Sequence, residues 1–75
     1  MYIPIQKLEE TPDAALYAFR VEDLGWVRFW IDRASGAARL EETLPGIEGY
    51  YDRASCRVRD LWAMGHFPQR TCWAG

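Results

Sequence analysis

The sequence is poor in the residues on which recognisable chemistry most often rests. It has one histidine, His66, and two cysteines, Cys56 and Cys72, separated by fifteen residues. Two cysteines do not make a disulfide framework, and zinc ligands come in paired short spacings, so two free thiols and no metal are expected. A Cys56–Cys72 bridge would need the C-terminal segment to fold back over the outer side of a helix carrying Cys56. Lysine is almost absent, Lys7 alone, and nine basic against eleven acidic residues leave a formal net charge of -2. A broad phosphate-attracting field is therefore not expected. No apolar run approaches the ~20 residues of a membrane span. No positively charged segment followed by an apolar core opens the chain, so the expected address is the cytoplasm. Gly36, Gly46 and Gly49 fall in turns and never between a strand and a helix at phosphate-cradling spacing, so no nucleotide or other cofactor is indicated.

What the sequence has in excess is aromatic surface, 15% of residues with four tryptophans, in a chain of only 75 residues. A chain of this length forms one domain, residues 1–75, and buries only about 60% of the surface its unfolded form exposes. At roughly 0.1 kcal/mol per residue its stability is about 7 kcal/mol. Exposing one tryptophan fully forfeits roughly 4–6 kcal/mol relative to burying it, so where each ring goes matters to the whole fold.

Hydrophobic periodicity sets the elements. Tyr2 to Leu8 is β-prone, but Pro4 removes a backbone donor and suits an edge strand. Glu9 to Asp13 has turn chemistry. From Ala15 to Glu22 the residues alternate, with Tyr17, Phe19 and Val21 on one face and Leu16, Ala18, Arg20 and Glu22 on the other. Trp26 to Ile31 is the hairpin partner, Asp32 to Gly36 a longer hairpin loop, and Ala37 to Leu44 the returning strand. Beyond Leu44-Pro45-Gly46 the period changes to 3.6. Ile47, Tyr50, Tyr51, Ala54, Val58, Leu61 and Trp62 form one stripe of a helix that ends before Gly65. The tail from Phe67 to Gly75 is open between a short strand and irregular packing anchored by Trp73.

These elements predict a two-layer α+β domain, an antiparallel sheet of about four strands in β-β-β-β-α order with the amphipathic helix on one face. The predicted core is Tyr17, Phe19, Val21, Val27, Phe29, Ile31, Ala38 and Leu40 under the helix stripe. Trp26, Arg28 and Trp30 then share the second face with Leu16 and Arg20, and something must cover them: the chain's own tail, a second copy, or another protein.

This surplus face motivates the leading expectation, a small non-enzymatic interaction protein. It acts as a homodimer through Leu16, Arg20, Trp26, Arg28 and Trp30, or as an adaptor, inhibitor or immunity-type protein bound to a larger partner. Arg53 and Arg57, neighbours four residues apart on the helix's outer side, are a secondary surface suited to an acidic partner or simply a solvated face. Trp26, Arg28 and Trp30 could alternatively stack single-stranded bases, against which the acidic balance weighs. A third reading places a small ligand-binding or catalytic site at His66 and Cys72 near Trp73. It lacks an identifiable third group to orient a nucleophile, and His66 following Gly65 is equally at home at a helix C-terminus.

Overall fold

In a computed structural model covering residues 1–75, the chain forms β1 (Tyr2–Glu10), β2 (Ala14–Val21), β3 (Gly25–Asp32), β4 (Ala38–Leu40), α1 (Glu48–Ala63) and β5 (Arg70–Ala74). All strand pairings are antiparallel and the sheet order is β4-β3-β2-β1-β5. The α+β class and the helix-on-sheet arrangement are as the periodicity predicts. The sheet has five strands, because the tail adds itself beside β1 and does not wrap beneath the sheet. Coverage of the second face by the tail is thereby ruled out.

The same pairing corrects the place of β1, which is an interior strand and not an edge. The Lys7 amide donates to the Gln69 carbonyl and the Gly75 amide to the Met1 carbonyl, so odd-numbered residues of β1 turn their backbone toward β5. Backbone direction alternates along a strand, so Pro4 faces β2. The β1–β2 register begins only at Ile5↔Phe19. Proline thus stands where the β1–β2 pairing begins, with its carbonyl toward β2 and only the amide it lacks left out of the ladder, and an interior strand tolerates it. The returning strand is also shorter than the alternation suggests: β4 ends at Leu40, and Glu41 to Leu44 leave the sheet.

Alternation puts Ile3, Ile5, Ala15, Tyr17, Phe19, Val21, Val27, Phe29 and Ile31 beneath α1, where they pack with Ile47, Ala54 and Val58. Phe29 is the hub of an aromatic cluster, with ring centroids 5.7 Å from Phe19, 6.0 Å from Tyr17 and 5.8 Å from Tyr51 of the helix. These separations suit offset and edge-to-face packing. Ala38 and Leu40 sit half-buried at the margin of this core rather than within it. The Tyr17 hydroxyl, brought under the chain as it leaves the helix, donates to the Pro68 carbonyl at 2.7 Å.

The helix ends in a Schellman motif. Gly65, at φ +81°, donates to the Trp62 carbonyl, and His66 donates to the Leu61 carbonyl. Only glycine takes that left-handed turn without penalty, and it lets the chain reverse toward β5.

Candidate functional site

Opposite the helix, the second face carries Trp26, Arg28 and Trp30 of β3 with Leu16, Ala18 and Arg20 of β2. The register sets Leu16 against Trp30, Ala18 against Arg28 and Arg20 against Trp26. The sequence therefore places all five of its interface residues on one surface. Their exposures differ. Trp26 is 51% exposed, Arg20 and Arg28 are exposed, Trp30 is half-buried, and Leu16, lying between Trp30 and Glu9 in the register, is buried.

Two neighbours, Leu8 and Ala18, complete the surface. Alternation from the core residues Ile3 and Ile5 puts Leu8, 46% exposed, on the second face beside Gln6, next to the register slip between Lys7 and Glu9. Ala18 is 2% exposed and floors a groove of about 760 Å³ walled by Leu8, Gln6, Trp26 and Arg28 and closed by the segment from Glu41 to Leu44. Its depth arises because the small Ala18 side chain sits among long ones. On the rim, Arg28 pairs with Glu41 at 3.1 Å, and the Glu41 amide donates to the Arg28 carbonyl.

The charge on this face nearly balances. Arg20, Arg28, Arg39 and Arg70 are set against Glu9, Glu22, Asp32, Glu41 and Glu42 around its margin. A surface that tracks a phosphate backbone needs a cationic excess, which this one does not have.

The other candidates are separated by the fold. His66 is exposed beside a shallow groove with Glu10, Arg33, Trp62 and Phe67. Cys72 borders a different groove with Cys56, Arg57, Asp60 and Trp73. His66 and Cys72 do not meet, so the nucleophile–base arrangement considered for them is not assembled. Both cysteines are free thiols, and they line this one groove from α1 and from β5. No cluster of three His, Cys, Asp or Glu side chains is placed to hold a metal ion, and no helix is long and apolar enough to cross a membrane. Arg53 stacks over the Trp73 ring at 5.2 Å, and the Arg57 Nε–H donates to Thr71 Oγ1 at 3.1 Å, so the helix arginines are tied to β5.

No family model matches the chain, and comparison with curated proteins and with solved structures finds no match.

Proposed function

We propose that this protein is a small interaction module that acts without catalysis, as a homodimer packed sheet face to sheet face. One observation carries the reading: a projecting apolar group and a hollow that can receive it lie side by side on the same surface. A twofold interface brings each patch onto its own copy, so it requires that self-complementarity. Trp26 projects with half its surface in water, and the hollow over Ala18 lies diagonally beside it. A twofold axis near Arg28 sends each Trp26 into the partner's hollow.

The energetics and dimensions agree with this reading. Burying roughly 100 Å² of remaining tryptophan surface at ~25 cal/mol per Å² contributes about 2.5 kcal/mol per ring. The backbone measures 32 × 25 × 17 Å. Its broad side is therefore comparable to the ~800 Å² that each partner contributes to a standard interface. The nearly balanced margin of arginines and carboxylates suits a self-pairing surface and disfavours single-stranded nucleic acid.

Sedimentation equilibrium tests the assignment. The wild-type chain is expected at twice its 8.7 kDa mass at micromolar concentration, and Trp26→Ser is expected as a folded monomer. A wild-type monomer at every concentration up to ~100 μM would reject the homodimer. Quenching of tryptophan fluorescence by single-stranded oligonucleotides at low salt would instead favour base stacking.

A further inference from the structure

The sheet has two edges, and they differ. At β4 only Ala38 and Leu40 turn their backbone outward, because the bonds to β3 are made by the residues that alternate with them. Such a short edge resists pairing. On β5 the bonds to β1 are made by the odd-numbered positions, so Arg70, Cys72 and Ala74 turn three amides and three carbonyls away from the sheet.

Alongside this edge runs a groove of about 410 Å³ between strand and helix, lined by Cys56, Arg57 and Asp60 of α1 and by Cys72, Trp73 and Ala74 of β5. Arg53 and Arg57 are turned toward β5, over the Trp73 ring and onto Thr71 Oγ1, against Asp60 alone in the groove. Neither arginine is engaged in an ion pair.

An open strand edge next to a strand–helix groove is the geometry for adding an extended peptide, with main-chain bonds supplying affinity and alternate side chains supplying selectivity. We infer that β5 and α1 form a docking site for an extended segment of another protein with acidic residues at alternate positions. Its backbone continues the sheet beyond Arg70, Cys72 and Ala74. The carboxylates on its helix side meet Arg53 and Arg57, whose anchors at Trp73 and Thr71 hold them in place before the peptide arrives. The site does not use the Trp26 face, so the two readings stand or fall separately.

The probe is an acetylated, amidated heptapeptide alternating valine and glutamate, with the valine–lysine analogue as control. Titration is followed by fluorescence anisotropy and by amide exchange at Arg70, Cys72 and Ala74. The acidic peptide is expected to bind and protect those three amides, with the lysine analogue at least tenfold weaker. Cys72→Pro removes one outward donor without touching the bonds to β1 and should weaken binding about tenfold. Arg53→Glu/Arg57→Glu, which leaves the backbone untouched, should reverse the preference, and Trp26→Ser should leave binding unchanged. Equal binding of both peptides, no change at the three amides, or their concentration-dependent protection without peptide, which would mean a second copy occupies the edge, would each overturn the inference.

Discussion

The Trp62 indole lies flat against Gly36. A Cβ built at Gly36 would come within 2.5 Å of the ring, and the indole N–H donates to the Arg33 carbonyl at 2.7 Å. Gly36 also has φ +74°, so the β3–β4 loop is closed by a left-handed residue and the last turn of the helix is pinned to it. Gly36→Ala meets both obstacles at once. The left-handed conformation costs an L-residue roughly 1–2 kcal/mol and overpacking against the ring a further ~1–3 kcal/mol. Chemical denaturation should report a loss of about 2–5 kcal/mol, a large part of the total. A loss below ~0.5 kcal/mol would mean that the indole moves freely and does not fasten the helix.

That contact also marks the boundary of what the sequence discloses. Gly36 was legible as a loop residue and Trp62 as part of the helix stripe, but nothing local says that they touch. Alternation resolved β2, β3 and the helix because each has one buried face with its own period. It misplaced β1 because Pro4 argues for an edge unless its neighbours' register is known. It left β5 open because Arg70-Thr71-Cys72-Trp73 has little alternation, and its pairing with Tyr2 to Gln6 spans the chain. At the candidate site Trp26, Arg28 and Trp30 were legible as one face. Leu8 joins them by the same alternation that buries Ile3 and Ile5, whereas the hollow over Ala18 was not legible, because it exists only relative to its neighbours.

Alkaline pH should weaken the fold through Tyr17. Burial, reinforced by the charge of Glu10, pushes its phenol well above the usual tyrosine range. A pKa raised in the folded state contributes stability that is complete below the unfolded value, near 10, and is lost as pH rises above it. Deprotonation also removes the donor to the Pro68 carbonyl. Tyr17→Phe should cost about 1 kcal/mol at pH 7 for the lost hydrogen bond and flatten the decline above pH 10. Some decline should persist, because burial raises Tyr51 as well. Urea midpoints between pH 8 and 11 measure this, and parallel wild-type and variant curves would refute the assignment.

On the acid side the relevant group is Glu10. Hydrogen bonds from Lys7 and then from Arg33 hold its carboxyl below the usual range, and Arg33 in turn lies over the Phe67 ring at 5.2 Å. A lowered carboxylate contributes stability above its unfolded value of about 4.3 and loses it as pH falls through the lower folded value. Asp32 behaves alike, its carboxylate accepting the Ser35 and Ala34 amides. Urea midpoints of Glu10→Gln should therefore fall less steeply than wild type between pH 4.5 and 3, and those of Glu10→Gln/Asp32→Asn less steeply still. Identical slopes would show that Glu10 makes no net contribution.

Ala18 offers the sharpest test of the face itself, because its side chain is buried only by its neighbours and opens into the groove between Leu8 and Trp26. Ala18→Leu fills that hollow from within the chain. What covers the position is the long side chains of Gln6, Leu8, Trp26 and Arg28 at the surface, which can move aside, so the change should leave folding stability within ~1 kcal/mol, unlike an overpacked core position. A partner's Trp26 would find its receptacle occupied, and the dimer should weaken at least tenfold. Removing the projecting group, Trp26→Ser, and filling the hollow, Ala18→Leu, should then act on the same equilibrium, and the double variant should be no more monomeric than either alone. If Ala18→Leu dimerises as wild type while Trp26→Ser does not, Trp26 meets its partner elsewhere and the interlocking geometry is wrong, even though the face remains the interface.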